Sequence, residues 1–250
     1  MSPEFDFDAV FDPEVYLHFY ETHLGAERSE VDADLVERAL ELAGDEHLLD
    51  VPCGHGRVAN RLAERGYRVT GVDRSTGFLD RARADASERG VDVAYRRGDV
   101  RELPVADDSV DGAFSLFTSF GYFDDADNRR VLEEAKRVLR PGGRFLVEMV
   151  HQLGLVADFR PATVSRAGPD DGDVLLDEHA FDATEGRVYV DRTAFVDGER
   201  HQSTYSVRLY TAPELRERFE TAGFDVVGVY DYDLAELTRT SPRIVVVGEA

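Results

Sequence analysis

A chain of 250 residues, 42% of them hydrophobic, carries enough apolar mass for one α/β domain with an elaboration and excludes a disordered polymer. Asp plus Glu number 51 against 29 Lys plus Arg, Lys136 being the only lysine, and the resulting net charge of -22 argues against nucleic acid as a partner. No apolar run is long enough to cross a bilayer, the acidic first residues do not read as a signal peptide, and Cys53 is the only cysteine, so the expected setting is a reducing cytoplasm with no membrane partner.

Residues 13–23 read as a short aromatic helix carrying Tyr16, Phe19 and Tyr20. Ser29 reads as the cap of a second helix with Val31, Leu35, Leu40 and Leu42 as its apolar stripe. From residue 47 short apolar runs alternate with amphipathic stretches. Strands are expected at 48–51, 68–72, 92–96, 110–117 and 144–150. Helices are expected at 57–65, behind a Ser75 cap, and at 127–139. That alternation predicts βαβ units and a mostly parallel sheet covered on both faces. Beyond 151 the pattern changes to strands at 174–182, 187–197 and 200–210. They are separated by Thr184-Glu185-Gly186 and Asp197-Gly198, the latter a hairpin signal. A helix at 212–222 and strands at 224–232 and 243–248 complete the main sheet. The predicted fold is therefore α/β, Rossmann-like and doubly wound, with seven strands and an antiparallel insertion after the fifth.

In open parallel sheets ligands bind outside the carboxyl ends of the strands, so those ends are where chemistry is sought. After strand one comes Asp50-Val51-Pro52-Cys53-Gly54-His55-Gly56-Arg57, where two glycines let backbone approach a ligand and a helix start offers free amides. Asp73 after strand two is placed for two ribose hydroxyls, and Asp99 after strand three for an adenine amino group. Phe117 to Tyr122 form an aromatic wall after strand four. The glycine motif alone also fits a dinucleotide-dependent oxidoreductase. Asp50 is better suited to an amino group than to a pyrophosphate, and Asp99 fits an adenine nucleoside. The Asp124–Asn128 run reads as a helix start on an acidic surface, and no metal is expected.

At these residues the chain resembles the class I S-adenosylmethionine-dependent methyltransferases, through LLDVPCGHGR, YRVTGVDRS, YRRGDV, FTSFGYF and VLRPGGRFLVEMV in that order. FYETHLGAERSEVD and RLYTAPELRERFETAGFDVVGVY extend the resemblance over nearly the whole chain. Pro52 and His55 depart from the family's usual loop. The resemblance implies S-adenosylmethionine as methyl donor, with S-adenosylhomocysteine as product, and a small-molecule acceptor. It implies Gly54 and Gly56 beside the methionine part, Asp50 near its ammonium, Asp73 on the ribose and Asp99 on the adenine amino group. Val100 would pack on the ring and Phe117 stand near the sulfonium. Tyr20 and Arg28 would fold over the site, Arg28 meeting the cofactor carboxylate, and Cys53 and Arg74 complete the set. A cofactor-binding protein without turnover is the remaining alternative to an enzyme.

The division expected along this single domain is a helical cap at 1–45, a cofactor-binding core at 46–150, an insertion at 151–211 and completion of the sheet at 212–250. Methyl transfer from a sulfonium needs chiefly alignment and desolvation, and the candidate base is His151, just past strand five, ahead of Tyr122, His201 and Tyr205. The insertion is expected to serve either as an acceptor-side lid or as a dimer interface, so the protein is expected to be a monomer or a homodimer. The acid excess, spread along the chain, reads as adaptation to high salt.

Overall fold

In the computed structural model, residues 6–20, 24–168, 170 and 172–250 are described. Residues 21–23 of the short aromatic helix expected at 13–23 lie outside them.

Adjacent apolar residues such as Leu48-Leu49 and Phe145-Leu146 send side chains to opposite faces of a strand, and all four are buried. Such strands need cover on both sides. The first five are β1 (His47–Asp50), β2 (Arg68–Asp73), β3 (Val93–Arg97), β4 (Val110–Ser115) and β5 (Leu139–Val150). The insertion holds β6 (Ala162–Ala167), β7 (Asp173–Asp182), β8 (Arg187–Val196) and β9 (Glu199–Arg208). The chain then returns through β10 (Asp225–Tyr230) and β11 (Arg243–Glu249). The main sheet runs β10-β11-β5-β4-β1-β2-β3, and β6-β7-β8-β9 form a second, antiparallel sheet. Of these seven strands only β11 runs against the rest, being antiparallel to both β5 and β10. The order reverses between β1 and β4, which opens a crevice above their carboxyl ends.

Eight helices occur among the described residues: α1 (Phe7–Val10), α2 (Pro13–Tyr20), α3 (Ala26–Leu40), α4 (Arg57–Glu64), α5 (Thr76–Arg89), α6 (Asp125–Val138), α7 (Gln152–Ala157) and α8 (Ala212–Thr221). Val36, Val58 and Leu62 of α3 and α4 pack with Phe114 and Leu146 on one face of the main sheet. Leu132, Leu215 and Phe219 of α6 and α8 pack with Phe145 and Val147 on the other. Each such fully buried Leu or Phe contributes roughly 2 kcal/mol over an exposed one.

Some local expectations change. Ser29 is not a cap: α3 begins three residues earlier behind Gly25, and Ser29 Oγ donates to the Leu24 and Gly25 carbonyls. Val31 consequently faces outward and is 43% exposed. Strand β5 begins before the Pro141-Gly142-Gly143 turn, because Leu139 already pairs with Val110. Ser75 does cap α5, accepting from Phe78 N. Asp124 caps α6, accepting from Asp127 N, while Asp127 pairs with Arg101. The Asp197-Gly198 hairpin has both central residues at positive φ, as a tight turn between twisted strands requires.

Candidate active site

Every loop at the carboxyl ends of β1 to β4 opens on one cavity of about 400 Å³. Backbone geometry sets its floor. Gly54, at φ +52, turns its amide onto Asp73 Oδ2 at 2.8 Å, and Asp73 Oδ1 accepts from Ser75 N at 2.8 Å. Gly56, at φ +75, precedes α4, and a Cβ there would fall 2.2 Å from the Tyr95 hydroxyl and 2.8 Å from Ala82 Cβ. This glycine lets the loop pack against β3 and α5, and it does not line the cavity. Asp50 and Asp73 are both buried and line the cavity. Burial pushes both carboxyls up, that of Asp50 well above its ordinary value with the Asp73 charge adding to the effect and Arg57 opposing it. Two desolvated acids at one surface are suited to a ligand rich in N–H and O–H donors.

Asp99 also lines the cavity, but Arg101 takes most of its oxygens. Oδ1 accepts from Arg101 N at 2.8 Å and Nε at 3.0 Å, and Oδ2 from Nη2 at 2.8 Å. These bonds hold its carboxyl below the usual range, and one of about four lone-pair positions stays open to a ligand. Val100 and the half-exposed Arg74, which stands 4.6 Å from the Phe7 ring centre, complete this end.

Past β4 the chain makes an unusual turn. Phe117 and Thr118 both lie in the left-handed region, at φ +58 and +60. Such residues cost about 1–2 kcal/mol each, so the surroundings must hold them. Glu148 of β5 does so: its side chain accepts from Phe117 N at 2.7 Å and its carbonyl from Thr118 N at 3.2 Å, while Thr118 Oγ1 accepts from Val150 N at 3.0 Å. Arg243 is hydrogen-bonded to the same Glu148 carboxylate. Two guanidinium groups stand near the Phe117 ring, Arg57 at 5.9 Å and Arg243 at 5.8 Å from its centre.

The insertion and α2 form the roof. Tyr16 and Tyr20 stack with ring centres 4.7 Å apart. Arg192 binds the buried Asp177 carboxylate through Nε at 2.8 Å and Nη2 at 2.7 Å. The same Nη2 donates to the Tyr20 hydroxyl at 2.8 Å and the Tyr205 hydroxyl at 3.3 Å. Val188, Val190, Val207 and Leu209 of the insertion line the cavity beside them. Burial pushes the phenols of Tyr16, Tyr20, Tyr122 and Tyr205 up, so these hydroxyls stay uncharged. Burial pulls the His55 imidazole down to about 4, leaving it uncharged as well.

Of the residues singled out from sequence, Asp50, Cys53, Gly54, Asp73, Arg74, Asp99, Val100, Phe117 and Tyr20 line the cavity, while Gly56, Arg28 and His151 do not. Arg28 is drawn away by Asp32, at 3.1 Å, and by the Tyr232 ring, 4.3 Å from its guanidinium. His151 is 2% exposed; its Nδ1 lies 3.0 Å from the Ser241 carbonyl, and its backbone amide donates to Pro242 O. The segment leading into β11 covers it, which removes the first of the bases expected from sequence, while Tyr122 and Tyr205 do line the cavity. Three cavity arginines were not foreseen. Arg57 directly follows the glycine loop and was readable there, whereas Arg192 and Arg243 are brought in by long-range pairing that no local pattern shows.

A methyltransferase-domain family model matches residues 48–143. The chain is 30% identical over 203 residues to a putative methyltransferase of Bacillus subtilis, covering 78% of each protein. It is 42% identical over 112 residues to a ubiquinone/menaquinone biosynthesis C-methyltransferase of Paracoccus denitrificans, and that match spans 43% of this chain and less than half, 44%, of the relative. Among solved structures, an S-adenosylmethionine-dependent methyltransferase from Clostridium acetobutylicum has the same fold, with a TM-score of 0.78 at 18% identity over 94% of this chain and 98% of that one. The strand order, the cavity at the crevice between β1 and β4 and these matches together establish that the chain belongs to the class I S-adenosylmethionine-dependent methyltransferases.

Proposed function

We propose that the cavity holds S-adenosylmethionine along the carboxyl ends of β1 to β4 and passes its methyl group to a small molecule held under the insertion sheet. The observation that carries this reading is the division of the cavity. Buried acids stand on the strand-end side, and an aromatic and aliphatic wall built around the Arg192–Asp177 ion pair on the other.

The residues present fit the group. Asp73 accepts from the two ribose hydroxyls while its loop amides stay satisfied. Asp99 offers its remaining lone pair to the adenine amino group, and Val100 packs on the ring. Asp50 faces the ammonium. The carboxylate falls to Arg57: this arginine and Arg28 share the single charge of Asp32, so the cluster keeps one positive charge in excess beside the cavity. Bound S-adenosylmethionine supplies a methyl group activated by a positively charged sulfur. Phe117, fixed by Glu148, walls that position, and the aromatic roof excludes water from it.

The placement of Val190, Tyr205 and Leu209 on the cavity supports an acceptor-side role for the insertion rather than a purely interfacial one. We also infer a reducing, salt-rich compartment from the single buried cysteine and the charge of -22. Among the described residues, no helix is long and apolar enough to cross a membrane.

Calorimetry with S-adenosylmethionine, S-adenosylhomocysteine and NAD tests the reading. Binding of the first two with no binding of NAD is expected, and Asp73→Ala is expected to lose about 1–3 kcal/mol of that binding. NAD binding, or no binding of either sulfur ligand at molar salt, overturns it.

A further inference from the structure

The acids that line the cavity, Asp8, Asp50, Asp73 and Asp99, belong to α1 or to the strand ends, and among the described residues none stands on the insertion side. What stands there is set by strand register. His179, Val190 and Tyr205 form one row across β7, β8 and β9, with Asp177, Arg192 and Ser203 in the next row on the same face. Two strand spacings separate His179 from Tyr205, about 10 Å between Cα atoms, with only the short Val190 between them. All three line the cavity together with the stacked Tyr16 and Tyr20, and the short Val190 between two longer side chains leaves a slot in that wall.

The polar groups around this slot have fixed senses. Tyr20 and Tyr205 both accept from Arg192 Nη2, so each hydroxyl turns its own hydrogen elsewhere. Burial keeps both phenols protonated and available as donors. His179 Nδ1 lies 3.1 Å from the Arg160 carbonyl. A carbonyl can only accept, so Nδ1 carries a hydrogen, and the tautomer this fixes has its lone pair at Nε2. The Tyr20 and Tyr205 hydroxyls and the His179 ring thus line one cavity around this slot. A protonated amine there would meet the Arg192 guanidinium and find Asp177 already engaged by it on both oxygens.

Resting on the cofactor reading above, we propose that this slot takes a hydroxyl group on a planar conjugated skeleton, a phenol or an enol, with His179 as the proton acceptor and the Tyr20 and Tyr205 hydroxyls holding the oxygen. The acceptor O–H bond breaks and its proton passes to His179 Nε2. The oxygen electron pair forms a bond to the methyl carbon as the carbon–sulfur bond breaks, and that bond's electrons return to sulfur. A neutral methyl ether, a neutral thioether and a protonated His179 result, and the proton leaves to solvent.

The test uses 4-nitrophenol, whose neutral and ionised forms absorb at different wavelengths, titrated into protein saturated with S-adenosylhomocysteine, with benzylamine as the matched amine. The bound phenol is expected to ionise with a midpoint about one pH unit or more below that of the free probe. Tyr205→Phe and His179→Gln should each move that midpoint back up while the affinity for S-adenosylhomocysteine, measured by calorimetry, stays constant. Benzylamine should bind more weakly. No binding of 4-nitrophenol, an unshifted midpoint, a shift that survives both substitutions, or tighter binding of benzylamine overturns the acceptor assignment. Failure of S-adenosylhomocysteine to bind wild-type protein overturns the cofactor reading instead.

Discussion

Arg57 of α4 and Asp32 of α3 meet at 2.5 Å beneath the glycine loop, and Asp32 is 1% exposed. Because Arg28 draws on the same carboxylate and the Tyr232 hydroxyl is bonded to it as well, Arg57 keeps part of its charge for the cavity. Arg57→Met should lower affinity for S-adenosylhomocysteine by about 1.5–3 kcal/mol, the range for hydrogen bonds to charged groups. Affinity for 5′-methylthioadenosine, which lacks the amino-acid portion, should not change. Equal losses for the two ligands would reassign Arg57 to shaping the loop.

The two loop glycines should separate cleanly. At Gly56 an added Cβ meets Tyr95 and Ala82 in the interior, so Gly56→Ala should cost about 1–3 kcal/mol of stability from overpacking, and more from its positive φ. At Gly54 an added Cβ has nothing within 4 Å, so Gly54→Ala should cost only about 1–2 kcal/mol of backbone strain yet weaken cofactor binding. Thermal unfolding and calorimetry on both variants decide this. A greater loss of stability at Gly54 than at Gly56 would contradict it.

The raised carboxyl of Asp50 gives a pH dependence with a definite sign. Burial, its largest cause, makes Asp50 take up a proton at a pH where an exposed aspartate is still ionised. Once protonated it no longer attracts an ammonium group. Affinity for S-adenosylhomocysteine should therefore begin to fall on acidification while still above the ordinary carboxylate range, and Asp50→Asn should be weaker but flat there. For the unliganded protein linkage runs the other way. A folded-state pKa above the unfolded value favours folding at low pH, and that advantage is lost as pH rises through the folded value. Asp50→Asn should accordingly stabilise the free protein at neutral pH, as measured by its melting temperature with and without ligand.

What was legible in the sequence was what local chemistry decides. Asp73 and Ser75 could be placed because a strand end, an acid and a helix cap follow one another within three residues. Asp197-Gly198 could be placed because only a few residue types tolerate positive φ in a hairpin. Strand β6 carries no sequence signal because it is an edge strand with a largely exposed surface, so it lacks the alternation that marks a half-buried one. His151 does stand at the end of β5, but its orientation is set by Ser241, ninety residues on. Arg192 and Tyr20 are 172 positions apart, and their meeting follows from how the insertion folds back over α2. Periodicity reports which face of an element is apolar and carries no information about which distant face it will meet.

The last prediction concerns salt. The net charge of -22 makes the folded chain repel itself at long range, while its arginines form local pairs such as Arg65 with Glu30, Asp34 and Glu37, and Arg137 with Asp107 and Glu134. Salt acts on both, with opposite signs. Exposed ion pairs contribute only about 0–1 kcal/mol each, so weakening them costs little. Diffuse repulsion acts over the whole surface and is progressively removed as the screening length falls from about 30 Å at 0.01 M to about 3 Å at 1 M. Repulsion should win, and the melting temperature should rise from low to molar potassium chloride. The shape of the curve matters as much as its direction. Screening predicts a steep rise that levels off once the screening length is shorter than the spacing between surface charges, whereas general salting-out of apolar surface continues to climb at high concentration. A rise that saturates below about 1 M supports adaptation to a salt-rich compartment. A flat or falling melting temperature would leave the acidic surface with no such role, because the local arginine pairs would then already offset the long-range repulsion.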